Sequence, residues 1–176
     1  MSEIREEPAI ESEGPKGRPL WGTFLGIAGV VLVLDQLTKA LLTSYLAPGQ
    51  RVDVVGDLVR LVHSQNAGGL FGIFQGQALP FALVSSVVVA FIVGYHATSG
   101  RSQYLSITLG LLLGGAVGNL TDRIRLGYVV DFVDAGIGDL RWYTFNVADA
   151  GISFAIILLL AASVWPSVAR RAALHA

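Results

Sequence analysis

Four stretches of the chain, residues 20–46, 79–96, 104–120 and 146–165, are so long and apolar that a bilayer-crossing helix is the simplest structure each can adopt. A span takes about 20 residues of α-helix at 1.5 Å rise per residue. A helix also satisfies its own backbone polar groups, which hydrocarbon cannot do. Composition agrees: 14% of residues are charged, against roughly 25% in a soluble domain. The net charge of −1 offers no basic surface for nucleic acid. With no cysteine, the chain has no disulfide, thiolate metal site or cysteine nucleophile. His63, His96 and His175 are far apart and match no zinc-ligand spacing.

The first span is purely apolar in its first half and carries Asp35, Gln36 and Lys39 in its second. Pro80 suits the opening turn of the second span, where a missing N–H is harmless. Gly110, Gly114 and Gly118 recur every fourth residue in the third span, a stripe that lets another helix approach closely in lipid and marks this helix as central. Trp165 suits the membrane interface at the end of the fourth span, and Pro166 stops the helix before Arg170 and Arg171. Residues 1–19 are polar and acidic and read as a disordered tail; 20–168 form the membrane unit, and 169–176 a short basic tail. In the connection 47–78, two β-branched runs flank Gly56-Asp57 and predict a tight hairpin. The glycine-rich NAGGLFGIFQG that follows reads as an interfacial loop or short helix. Lysine and arginine divide six against six between the two sides, and only Lys16 and Arg18, close to the first span, favour cytoplasmic ends.

Polar residues gather where polarity is costly. Asp35 and Lys39 close the first span, Asn119, Asp122 and Arg123 the third, and Asn146 and Asp149 open the fourth. Asp131 lies between the last two groups, on the same side. Each group has an ordinary explanation. Asp35 and Lys39 can pair at i,i+4. Asn119, Asp122 and Arg123 can form a snorkelling helix end. Asn146 and Asp149 resemble a capping box. Asp131, Asp134 and Asp139 can be loop acids. What these explanations leave over is the coincidence of four stretches placing polar groups at one depth.

The motifs DQLTK (35–39), NAGGLFG (66–72), GGAVGNLTDR (114–123), GYVVDFVD (127–134) and FNVADAGI (145–152), in this order on four spans, resemble the lipoprotein signal peptidases, or signal peptidase II. Leu70 after Gly69, and Ala155 where the family usually has glycine, depart from its pattern. The resemblance implies an all-α, four-helix membrane protein with a small extracytoplasmic β-hairpin cradle and an interfacial loop. It implies an aspartic endopeptidase of the bacterial plasma membrane, with both termini cytoplasmic and the site near the outer face. Its substrates would be diacylglyceryl-modified prolipoproteins, cut before the lipidated cysteine, with membrane lipid as surroundings and the enzyme a monomer. By motif, Asp131 and Asp149 fall on the catalytic pair. Asp35, Lys39, Asn66, Asn119, Asp122, Arg123 and Asn146 fall on binding or support positions, and no metal or organic cofactor is implied. Two adjacent carboxylates would share a proton, one drawing a proton from water and the other polarising the scissile carbonyl. The asparagine amides could hold an unwound substrate backbone, and Arg123 could bind a carbonyl or lipid ester, or orient Asp122. The alternatives are a small proton or ion carrier using Asp and Lys relays, for which an internal repeat is expected but not seen, and a non-enzymatic assembly factor.

Overall fold

A computed structural model describes residues 17–68 and 78–165. Residues 1–16 of the tail expected at 1–19, the tail expected at 169–176, and nearly all of the glycine-rich loop lie outside the described residues. The elements run α1 (Trp21–Tyr45), β1 (Arg51–Val55), β2 (Val59–Asn66), α2 (Ala78–Ser99), α3 (Gln103–Leu126), β3 (Val129–Ile137), β4 (Leu140–Arg141) and α4 (Val147–Val164). All four helices are long and apolar enough to cross a membrane. Their outward faces carry bare Val, Leu, Ile and Phe side chains, as helices in lipid do.

α3 packs against each of the other three helices. The glycine stripe explains how. A Cβ on Gly110 would stand 2.7 Å from the Phe24 carbonyl oxygen, and one on Gly114 2.6 Å from that of Ala28. One on Gly118 would meet the Asp35 carboxylate at 2.7 Å. Only hydrogen at these positions lets α1 come so near. Phe24, Ala28, Ile92, Leu109 and Leu113 fill the core between α1, α2 and α3.

α3 runs six residues beyond the span read from hydropathy, so Asp122 and Arg123 are helical. Its last turn holds Arg123 and Arg125, favourable against the helix C-terminus. Gly127 then ends it at φ +78°, a left-handed conformation suited to glycine, its N–H reaching the Arg123 carbonyl.

The predicted hairpin is present, but it is half of a larger sheet. β1, β2, β3 and β4 form four antiparallel strands in that order. The segment around Asp131 is therefore a strand and not the loop its interspersed acids suggest. Val129 to Phe132 are buried throughout, and Val130 and Phe132 pack with Leu42 of α1. Strand alternation turns Asp131 to the opposite face. Asp134, also on β3, is ion-paired to Arg141 at 2.7 Å, whereas Asp139 occupies the exposed turn before β4. Arg60 of β2 pairs with Asp57 and, at 3.3 Å, with Asp53, closing the hairpin. His63 Nδ1 hydrogen-bonds the Leu46 carbonyl at 2.7 Å and ties β2 to the end of α1. β2 and β3 belong to the two long connections, so their pairing puts both at one end of the bundle.

Candidate active site

Two carboxylates from different elements line one cavity at this end of the bundle. Asp131 comes from β3, where it stands opposite Ser64 of β2. Asp149 comes from the first turn of α4. Asn146 connects them. As N-cap of α4, its side-chain oxygen accepts the Asp149 N–H at 2.9 Å, while the Asp149 Oδ2 accepts the Asn146 N–H at 3.3 Å. The capping box read from sequence is thus present, a helix start worth about 1 kcal/mol. The Asn146 amide Nδ2 donates to Asp131 Oδ1 at 2.7 Å and to Asn119 Oδ1 at 3.1 Å. Asn119 in turn donates to Asp149 Oδ1 at 2.7 Å, and Asn66, at the end of β2, donates to Asp131 Oδ2 at 3.1 Å.

Asp131 is 2% exposed. Burial pushes its carboxyl up from 3.8 to about 7, and the charge of Asp149 pushes the same way. The hydrogen bonds from Asn66 and Asn146 and the positive charge of Lys39 pull against this without overcoming it. Tyr143, close by, has its phenol raised by burial, with both acids adding to the effect.

Both carboxylates border a cavity of about 540 Å³, with Asn66, Asn119 and Arg123 also in its wall. Val84 and Val88 of α2, Ala116 of α3 and Ile152 of α4 make much of the rest. The site is thus polar at one end and apolar along the helices. Arg123 reaches the Asn119 and Gly68 carbonyls at 3.3 and 3.4 Å and lies over the Phe81 ring, 5.8 Å from its centroid. The roles expected for it are binding a carbonyl or lipid ester or orienting Asp122, and it makes no hydrogen bond to Asp122. That acid is held instead by Lys39 at 2.8 Å, by Gln36 at 2.9 Å and by the Val130 N–H at 3.2 Å.

The remaining expected residues, Asp35, Lys39, Asp122 and Asn146, gather immediately behind the two acids and outside the cavity wall. Asp35 and Lys39 form the expected pair at 2.7 Å. Asn146 has both ends of its amide engaged within the protein, one toward each acid, whereas the sequence reading has it hold a substrate backbone. Trp142, Tyr143 and Thr144, which wall the cavity on the sheet side, carry no signal in the sequence beyond an aromatic pair in a short connection.

The family model described as signal peptidase (SPase) II matches residues 27–165. A lipoprotein signal peptidase of Halothermothrix orenii is 36% identical over 131 residues, covering 74% of this chain and 88% of that one. That of Leifsonia xyli subsp. xyli is 38% identical over 166 residues, covering 89% and 75%. Among solved structures, a bacterial membrane enzyme determined by the in meso method at 2.3 Å matches with a TM-score of 0.77 at 27% identity, covering 84% of this chain and 90% of that one. Four spans, two carboxylates joined through Asn146 and these likenesses agree, and the chain belongs to the signal peptidase II family.

Proposed function

We propose that this member of the signal peptidase II family is an aspartic peptidase whose catalytic groups are Asp131 and Asp149. As a signal peptidase II it is a multi-pass membrane protein that removes signal peptides from prolipoproteins. The observation that carries the aspartic assignment is the joining of two carboxylates through Asn146 at the polar end of one cavity. Like charges so placed resist double ionisation, so the pair holds one proton over a broad pH range.

Asp131, raised to about 7, keeps that proton. Asp149, the less buried of the two, is the ionised partner. Asp149 takes a proton from water as the oxygen attacks the scissile carbonyl, and the Asp131 O–H gives its proton to the carbonyl oxygen. When the tetrahedral intermediate collapses, Asp149 passes its proton to the leaving amine and Asp131 recovers one from the geminal hydroxyls. The apolar wall suits a leader segment and the acyl chains of a diacylglyceryl-cysteine entering sideways from the bilayer, with the cut made before that cysteine. The enzyme acts as a monomer surrounded by lipid. The sheet and the acids lie on the extracytoplasmic side and both termini in the cytoplasm, an arrangement favoured by Lys16 and Arg18 beside α1.

Cleavage of a diacylglyceryl prolipoprotein peptide by purified Asp131→Asn and Asp149→Asn tests the assignment. Each should lose roughly 10²-fold to 10⁴-fold or more in rate while still inserting and folding. Near-normal turnover in either variant would remove that residue from the chemistry.

A further inference from the structure

We propose that Lys39 is the positioning residue for the catalytic pair, fixing the separation and hydrogen bonding of Asp131 and Asp149 from outside the cavity. The inference rests on the reading of those two acids as catalytic.

A lysine ammonium has three N–H donors. Lys39 is 4% exposed, and its Nζ lies 2.7 Å from Asp35 Oδ2, 2.8 Å from Asp122 Oδ2 and 3.2 Å from Asn119 Oδ1. Each of these three residues leads on, by one more hydrogen bond, to a catalytic acid or to the residue directly before one. Asp35 Oδ1 accepts the N–H of Ala148 at 2.9 Å, the residue directly before Asp149. Asp122 Oδ2 accepts the N–H of Val130 at 3.2 Å, the residue directly before Asp131. Asn119 Oδ1 holds Lys39 on one side and Asn146 on the other, which turns its Nδ2 toward Asp149. The strand that carries one acid and the helix that carries the other are both hung from a single nitrogen atom.

A purely stabilising role for the Asp35–Lys39 pair would need nothing beyond the i,i+4 contact on α1. It would not require both carboxylates to reach the backbone immediately upstream of both acids. The arrangement is also built to a tolerance. Gln36 Nε2 bridges Asp122 at 2.9 Å and Asp35 at 3.2 Å, a second link between the same two acids. Gly118 leaves Asp35 its room, since a Cβ there would stand 2.7 Å from Oδ2. A point charge with three converging donors fits such a node. An arginine fork, planar and longer, cannot aim donors at three acceptors in that volume.

The test is kinetic. Lys39→Arg keeps the charge and changes the geometry. A second variant, Asp35→Asn/Lys39→Met/Asp122→Asn, keeps acceptor oxygens for Ala148 and Val130, removes all three charges and cuts the node, so no unpaired charge is left buried. Thermal midpoint, kcat and KM on a diacylglyceryl prolipoprotein peptide are measured in detergent for both, together with Kd for a non-cleavable analogue of that peptide. Positioning predicts roughly 10-fold to 100-fold loss in kcat with KM and Kd within about twofold, in at least one variant whose midpoint matches the parent's. Parental kcat in both folded variants, a loss confined to KM and Kd, or failure of both to fold would each overturn the proposal. If Asp131→Asn or Asp149→Asn instead cleaves normally, the dyad reading itself has failed, and the two failures are told apart by which variants retain turnover.

Discussion

Replacing Asp131 with asparagine should abolish cleavage and, at the same time, flatten the pH dependence of stability. In the folded protein the Asp131 carboxyl holds its proton up to about pH 7, against 3.8 for an unperturbed group. Between those values the folded state binds a proton that the unfolded chain has released, so stability falls as pH rises, by about 1.4 kcal/mol per pH unit, and levels off above about 7. The full loss is about 4 kcal/mol, of which about 3 kcal/mol falls between pH 5 and pH 8. The asparagine variant has no such proton to lose. Its amide N–H₂ must face a donor from Asn66 or Asn146, a cost of about 1–3 kcal/mol, but that cost does not vary with pH and cancels from the slope. Thermal midpoints of both proteins in detergent, taken at each pH unit from 5 to 8, supply the assay. At about 2–4 °C per kcal/mol for a chain of this size, the gap between the two curves should change by roughly 6–12 °C in favour of the variant as pH rises. The same proton governs turnover, so kcat/KM of the parent should drop about tenfold per pH unit above about 7. Parallel stability curves would refute the claim that Asp131 is the protonated member, whatever the activity of the variant.

Two further outcomes follow from the packing and the topology. Gly114→Ala should lower the thermal midpoint, because its Cβ would meet the Ala28 carbonyl oxygen at 2.6 Å and Val31 Cβ at 2.7 Å; overpacking of about 1–3 kcal/mol then outweighs the roughly 1 kcal/mol of helix propensity gained. Gly94→Ala, with nothing within 4 Å, should leave it unchanged or raised, and the reverse ranking would count against the close approach of α1 and α3. Because the chain has no cysteine, Asp139→Cys in the exposed turn before β4 gives a single label site. It should react with a membrane-impermeant maleimide in intact spheroplasts, and labelling only after lysis would invert the proposed orientation.

The spans were legible because hydropathy and length decide them, and the glycine stripe named the face that α1 approaches. Where hydropathy stops being the criterion, the reading fell short. α3 continues through Thr121–Leu126 because charged residues at a helix end are tolerated in the interface, so the apolar run ended before the helix did. β3 was hidden because Asp131 and Asp134 break the apolar pattern of a strand whose first residues are buried on both faces. The Asp35–Lys39 pair could be read from spacing, but the longer reach of Lys39 to Asp122, 83 positions on, needs the helices in place. Two of the ordinary explanations hold as far as they go: Asp35 pairs with Lys39, and Asn146 with Asp149 forms a capping box. Asp149 does complete a capping box, and it does so with one oxygen while the other is held by Asn119. Only the ordered motifs carried the reading past a carrier or an assembly factor to a peptidase.

The pairing of a strand acid with a helix acid through Asn146 also bears on biosynthesis. The parts of the site are spread from Asp35 in the second half of the first span to Asp149 in the last, and Asn146, which touches both acids, is among the last to be made. Chains emerge from the ribosome N-terminus first, so α1, the hairpin, α2 and α3 can insert while no competent pair of carboxylates exists. A protease that shares its membrane with many other nascent signal sequences is thereby silent until its own final helix has docked, without needing a propeptide or an inhibitor to keep it so.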